Sequence, residues 1–457
     1  MTNPGPTPTP NHTMSPSPPP TSTPSTTGIT LLPDTTGRFG LTQIFDWDGI
    51  PSHTPLTTAQ IDSLAPHEDS VWGAFEPAAW NSAHPGMIVS RYMLPVEDDN
   101  SVSGHDLTYW QNTDPDWILY ACDASTGNPT SPPLLAWSGT GFPDVPLNFS
   151  NNQVIQYQLQ TLMIPYLKPN GYNALAVDNT DLLNYLEGGN PRFGQPIVKG
   201  DYGCGYYDAS GTFHKIFSGP LDSGSDSGFV NAMMNWVTTA AGMLHAAGLK
   251  LIINHPLYNP PTNPNEAALL AVTDAMVYEE GFTDYGRYQS DVPGIVTTAL
   301  QWGEYAQSHH VAFLITDYLC YNGVQPFNGN APCPSDPNQL PAPQVDWSLA
   351  TYALVNEGGA DVYISPQLGQ AMSYRPEYST TYGAPCGAYT QIAPNVYERK
   401  FQGALVIVNA SGAPYAFTFP SGHPYTNYTD IEHRPLSSTL MMSGADGYVL
   451  LTNNGCS

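Results

Sequence analysis

The stretch Gly171-Tyr-Asn-Ala-Leu-Ala-Val-Asp-Asn-Thr-Asp181 decides the fold. Ala174 to Val177 run without a polar interruption and stop at a carboxylate, Asp178. A strand apolar on both faces is buried on both faces, as in a parallel sheet covered by helices. Upstream, 151–168 carries Val154, Ile155, Leu159, Leu162, Met163, Tyr166 and Leu167 at helical spacing and ends in Pro169-Asn170-Gly171, a stop and turn signal. The unit is therefore helix, turn, buried strand, polar end.

Working outward, the unit recurs. Helix and strand are expected at 228–247 and 249–254, at 265–273 and 275–278, at 294–308 and 311–316, and at 347–356 and 361–364. Before the deciding stretch, strands are expected at 39–45, 70–75 and 87–93. That makes eight, ending in turn at Asp46-Trp47-Asp48, Glu76, the acidic run 97–99, Asp178, Asn254-His255, Glu279-Glu280, Asp317-Tyr318 and Ser365. So many polar strand ends predict an α/β fold of the (β/α)8 TIM-barrel type, whose strand C-termini converge on one face, rather than an open doubly wound sheet. A long insertion follows the third strand, and Gly203-Cys204-Gly205 reads as a loop. Residues 37–388 form the expected barrel. Short apolar runs at 396–401, 404–408, 415–419 and 447–451, joined by Gly-containing turns, predict a C-terminal antiparallel β-sandwich over 389–457. Residues 1–36 are rich in Pro, Thr and Ser with no charge before Asp34, and are read as an extended or disordered arm.

Composition narrows the partners. Twelve basic against 39 acidic residues leave a net charge of -27. Nucleic acid is excluded, because phosphate binding needs clustered Lys and Arg; a neutral or cationic polymer, such as one of amino sugars, is compatible. No stretch is apolar enough to span a membrane. No CxxC pair, HExxH, GxSxG or Walker A motif occurs, and His255 has no His partner at metal-ligand spacing, so neither a metal nor a cofactor is expected. The six cysteines and the sequons at Asn11, Asn148, Asn409 and Asn427 point to an extracellular setting, with a local Cys320–Cys333 disulfide. The N-terminus lacks a basic region followed by an apolar one, which leaves another export route or release with a virus particle. The arm suggests a homo-oligomer or a larger assembly.

The strand-end carboxylates carry the chemistry. Two carboxyl groups on different strands suit glycosidic bond hydrolysis, one protonating the leaving oxygen and the other attacking carbon or activating water. Asp178, held by its strand, is the first candidate; a helix N-cap is the alternative. The second is Glu279 or Glu280. Alternation sends one to the pocket and the other to the helical layer or a loop, and spacing alone does not decide. Asn179 and Asp181 are candidates for substrate hydroxyls. So are Asp46, Asp48, Tyr92, Asn254, His255, Asp317 and Tyr318, each of which could equally be a structural contact. Trp47, Trp72, Tyr109, Trp110, Trp117, Tyr278 and Tyr318 could stack on sugar rings, with ordinary packing as the alternative.

The stretch 171–185 resembles the Gly-Tyr/Phe-Asp-Gly-Val-x-x-Asp-Asn-x-Asp signature of glycoside hydrolase family 114, the endo-α-1,4-polygalactosaminidases, and of related glycosidase barrels. Residues 274–282 (DAMVYEEGF) and 248–256 (GLKLIINHP) are similar to two further strands of that family. The resemblance implies a glycoside hydrolase with Asp178 as nucleophile or base, Glu279 as acid and a polysaccharide substrate. Asn173 and Ala174 replace the usual Asp and Gly, and Asn254-His255 replaces Lys-Asn. The other reading is a non-catalytic glycan-binding or structural protein, of a virion or surface filament, on the same barrel.

Overall fold

Leu175 is paired on both sides, with Arg91 on one strand and Leu251 on another, both parallel. In the computed structural model, which describes residues 31–44, 56–139, 143–222, 224–284, 292–321, 325–326, 334, 339–366, 371–420, 422–453 and 455–456, this strand sits inside an eight-stranded sheet. The strands are β1 (Thr42–Ile44), β2 (Ser70–Trp72), β3 (Ile88–Met93), β4 (Ala174–Val177), β5 (Lys250–Asn254), β6 (Ala275–Tyr278), β7 (Ala312–Tyr318) and β8 (Ala360–Ser365). They lie side by side in chain order. The ends meet: Leu41 and Val362 form a parallel bridge, and the Val362 N–H donates to the Gly40 carbonyl at 2.9 Å. Gly40 permits that closure, because a Cβ there would stand 2.3 Å from Asp361 Oδ1. The expected (β/α)8 barrel is present. β2 is shorter than its apolar run, because Gly73 at φ 69° turns the chain.

The connecting helices include α1 (Thr58–Leu64), α2 (Pro77–Ala83), α3 (152–167), α4 (Ser227–Ala246), α5 (Pro264–Leu270), α6 (Val292–Ser308) and α7 (Ala342–Val355). On α4, Phe229, Met233, Trp236, Val237, Ala240 and Leu244 are buried at helical spacing, and Asp226 caps the start by accepting from Phe229 N at 3.2 Å. The middle of α3, Tyr157–Met163, is π-helical. Pro165 lies just beyond and has no N–H to donate to the preceding turn.

Two regions depart from the sequence reading. The long insertions on either side of β4 build a second, antiparallel sheet from Tyr120–Cys122, Val198–Tyr207, Glu187–Gly188 and Ala136–Trp137, with Phe213–Lys215 on its flank. Gly203-Cys204-Gly205 is therefore strand, not loop. Its glycines mark close approach: a Cβ on Gly203 would lie 2.9 Å from Leu186 Cβ. Cys204 is disulfide-bonded to Cys122 on the neighbouring strand. The end of the expected arm is also part of the barrel. Leu31 and Leu32 are buried, and Asn356, at the end of α7, donates to the Thr35 carbonyl at 2.8 Å. Residues 1–30 and Cys333 lie outside the described residues, so the arm's proposed assembly role and the Cys320–Cys333 pairing do too. Of the sequons, Asn148 and Asn409 are buried, with Asn409 Nδ2 donating to the Ala413 carbonyl at 2.8 Å.

The C-terminal sheets follow the expected sandwich. Thr390–Ala393 (β9), Val396–Phe401 (β10), Ala404–Asn409 (β11), Asp446–Leu451 (β15) and Thr429–Asp430 (β13) form one sheet; Tyr415–Thr418 (β12) and Thr439–Met442 (β14) form the other. Alternation along β11 explains why it is buried on both faces. Leu405 and Ile407 meet Phe417, Phe419 and Leu440 between the sheets, while Val406 and Val408 join the main core. Arg399 of β10 is buried and donates to the Ala353, Leu354 and Asn356 carbonyls at 3.2, 2.8 and 3.0 Å. It thereby satisfies carbonyls at the buried C-terminal end of α7. Cys386 and Cys456 close the domain with a second disulfide.

Glu68, just before β2, is fully buried and accepts from Gln43 Nε2 at 2.8 Å. Burial pushes its carboxyl from an ordinary 4.5 up to about 8, with Asp69 adding to the shift and the Gln43 bond opposing it. The folded protein thus holds this proton more tightly than the unfolded chain. Its contribution is full below about pH 4.5 and is lost as pH rises through about 8. Glu68→Gln is expected to reduce the loss of Tm over that range by several degrees relative to wild type, as read by thermal unfolding at stepped pH. An unchanged slope would show that Glu68 titrates normally.

Candidate active site

Strand phase selects the residues that meet at the mouth of the barrel. On β4, Asp178 continues the phase of Ala174 and Ala176; on β6, Glu279 continues that of Ala275 and Val277. Asp178, Asn254, Glu279 and Val277 line one hollow, with Ile44 from β1 and Trp72 from β2. Alternation leaves Glu280 on the opposite side, so Glu279 is the member of the pair that faces the pocket.

The hydrogen bonds are specific. Asn254 Nδ2 donates to Asp178 Oδ1 at 2.7 Å and to Glu279 Oε2 at 2.6 Å. One nitrogen thus bridges the two carboxyl groups. The bridged oxygens therefore lie within roughly 5 Å of each other, close enough for the two carboxyl groups to act on one glycosidic bond. The other oxygen of Asp178, Oδ2, accepts from Tyr92 Oη at 2.8 Å. The Glu279 carbonyl accepts from Thr316 Oγ1 at 2.6 Å. Directly after Glu280 the chain turns at Gly281, φ 59°, where a Cβ would fall 1.9 Å from the Thr316 carbonyl oxygen.

The turn after Asp178 is equally constrained. Asn179 adopts φ 52°. Thr180 donates to the Asn254 carbonyl through its N–H at 3.0 Å and its Oγ1 at 2.7 Å. The Thr180 carbonyl accepts from His255 Nδ1 at 2.9 Å, and His255 Nε2 meets Glu266 Oε2 at 2.5 Å. Both ring nitrogens face oxygens that can accept a proton, an arrangement that favours the doubly protonated ring. Burial opposes that charge, but Glu266 and the Thr180 carbonyl outweigh it and leave the His255 pKa raised.

The other expected residues separate by phase and burial. His255 is out of phase with Asn254, so it enters the helical layer and supports the site instead of lining it. Asp317 is likewise out of phase with the lumen-facing Thr316. It accepts from Phe282 N at 3.1 Å, Thr283 Oγ1 at 2.8 Å and Ser348 Oγ at 2.5 Å, tying β7 to α7. Burial raises its carboxyl to about 6 against those bonds. Tyr318 keeps the lumen phase of Thr316 and is buried in edge contact with Tyr363. His255 and Asp317 tie their strands to the helical layer. Asp181 accepts from Leu183 N at 2.8 Å, and burial raises it to about 6. Glu280 is half-buried near Asp284, His255 and Asp181, and is raised chiefly by burial. Asp46, Trp47 and Asp48 lie outside the described residues. Of the remaining aromatics, Trp72 lines the hollow, Tyr278 stacks on Phe313, and Tyr109, Trp110 and Trp117 belong to a ring cluster in the insertion.

No family model matches the chain, and no curated protein does. Among solved structures, the chain is similar to a noncanonic maltogenic alpha-amylase, AmyB, from Thermotoga neapolitana, at 11% identity over 91% of this chain and 98% of that one, TM-score 0.44. It is also similar to an alpha-amylase from Malbranchea cinnamomea, at 11% identity over 91% and 96%, TM-score 0.44. A third is an endo-beta-N-acetylglucosaminidase from Cordyceps militaris, at 11% identity over 72% and 81%, TM-score 0.36. The likeness to family 114 stays one of short motifs, and the barrel itself is established by its strand ladder.

The sequence reading missed Glu266. Its signal was an acidic residue in the first turn of a helix, an ordinary position that says nothing of burial. Glu266→Ala is expected to destabilise the protein by about 3–5 kcal/mol, because it leaves the buried His255 ring without its ion-pair partner. Urea unfolding checks this, and a loss below about 1 kcal/mol, as for an exposed pair, would contradict it.

Proposed function

We propose that the protein is a glycoside hydrolase that cleaves a microbial surface or extracellular polysaccharide with retention of anomeric configuration. The single observation that carries this reading is the Asn254 amide shared by Asp178 and Glu279. Two carboxyl groups from different strands that share one donor support direct attack by one of them on the anomeric carbon. Asp178, with a donor on each oxygen, is the nucleophile; Glu279 protonates the leaving glycosidic oxygen. The bond from Asp178 to carbon forms as the bond to the leaving sugar breaks. Glu279 then takes a proton from the water that releases the product.

The polymer is proposed to carry amino sugars, on the motif resemblance and on the net charge of -27. An oxidising, extracellular or virion-associated setting is supported by the Cys122–Cys204 and Cys386–Cys456 disulfides. One observation favours a second reading, a non-catalytic glycan-binding or structural protein: the hollow at the carboxylate pair has room for about one water molecule. The connections following β1, β6, β7 and β8 include segments outside the described residues.

Incubation with galactosaminogalactan and other surface glycans decides between them. Wild type is expected to release reducing ends, Asp178→Asn none, and Glu279→Gln about 10²–10⁴-fold less. Proton NMR of the first product is expected to show the substrate's anomeric configuration. Equal release by wild type and Asp178→Asn removes Asp178 from the mechanism, and an inverted product removes the nucleophilic role.

A further inference from the structure

The segment that leaves β5, 255–263, carries an exposed ring between anchored residues. His255 is held by Thr180 and Glu266. Asn259 donates to Glu266 Oε1 at 2.8 Å, and its carbonyl accepts from Trp302 Nε1 at 3.2 Å. Leu257 packs against the main core, and Pro256, Pro260 and Pro261 stiffen the backbone. Between these anchors Tyr258 is 65% exposed. A lone exposed aromatic is ordinary on a protein surface. This one is unusual in its mount and its place. Its backbone is anchored on both sides, so holding the ring against a ligand costs little further entropy.

Its place is given by the chain. The segment leaves the end of β5 directly after Asn254, whose amide bridges Asp178 and Glu279. Tyr258 therefore stands on a connection at the strand-end face of the barrel, and its phenol is raised by partial burial and then by carboxylates that include Asp181 and Glu280. One ion pair, His255–Glu266, anchors both the Asp178 turn and the Tyr258 segment. The sequence reading passed over Tyr258 because it falls in a Pro-rich loop beyond its strand end.

We propose that Tyr258 is a stacking platform for a pyranose unit of the polysaccharide at the strand-end face of the barrel, beside the carboxylate pair. A pyranose presents C–H groups on one face and hydroxyls at its rim. The aromatic face attracts the former through its negative quadrupole, while the latter stay hydrated. The inference rests on the glycoside hydrolase reading, but the ring's role is read by binding as well as by turnover.

The test uses full-length protein and galactosaminogalactan. Tyr258→Ala is expected to raise KM for the polymer roughly three- to tenfold, and Tyr258→Phe to keep it within about twofold. Met441→Ala, at an equally exposed residue of the C-terminal sandwich, serves as the surface control and is expected to leave KM unchanged. The same order is expected for gel retardation by the polymer in an Asp178→Asn background. Thermal unfolding confirms that each variant folds. A Tyr258→Ala protein that binds the polymer as tightly as its parent overturns the platform. If wild type cleaves nothing, the hydrolase reading fails, while retardation that depends on Tyr258 still upholds the platform. If wild type neither cleaves nor is retarded, the platform falls as well.

Discussion

Side chains on a strand alternate, and a closed barrel gives that alternation only two destinations, the lumen and the helical layer. Closure through the Leu41–Val362 bridge turns eight separate strands into one register. Among the described residues, direction at a strand end then follows from parity. Asp178, Asn254 and Glu279 converge because each is in phase with the lumen; His255, Glu280 and Asp317 diverge because each is one residue out of phase. A one-residue slip in β5 would send Asn254 into the helical layer and separate the two carboxyl groups.

Convergence alone does not make a site, and the surrounding bonds supply the rigidity. Asp178 is held by two side-chain donors, Glu279 by Asn254 and by its own carbonyl, and the Asp178–Asp181 turn by Thr180 and His255. The buried His255 ring is held because each of its nitrogens meets a partner, the Thr180 carbonyl on one side and the Glu266 carboxyl on the other. Groups fixed this way lose little freedom when substrate arrives, which is what orientation effects require.

The accessory parts are joined to the barrel by comparable means. Arg399 satisfies the last carbonyls of α7 from the C-terminal sheet. Arg434 pairs with Asp346 of α7 and with Asp430 and Asp446 of the sandwich. The sandwich thus covers a helix that is buried on nearly all sides, which is why α7 shows almost no polar face. The insertion sheet draws its own order from the Cys122–Cys204 link and from close strand contacts at glycine.

The barrel was legible in the sequence because each unit repeats a local signal: a helix with apolar spacing, a turn, an uninterrupted apolar strand and a polar end. Asp178 and the Glu279-Glu280 pair were legible as strand ends. The insertion sheet was not, because its strands are short, glycine-bearing and paired across 82 residues of chain at the disulfide. The last residues of the Pro/Thr/Ser segment read as tether because composition says nothing of the Asn356 contact that holds Thr35. By itself the sequence determined the fold class and the two strands that carry the carboxylates, since both follow from local periodicity. Which glutamate faces inward, that Asn254 joins the pair, that His255 supports from behind and that Tyr258 stands at the rim were decided only by the tertiary structure. Each depends on strand phase fixed by closure and on contacts between residues far apart in the chain.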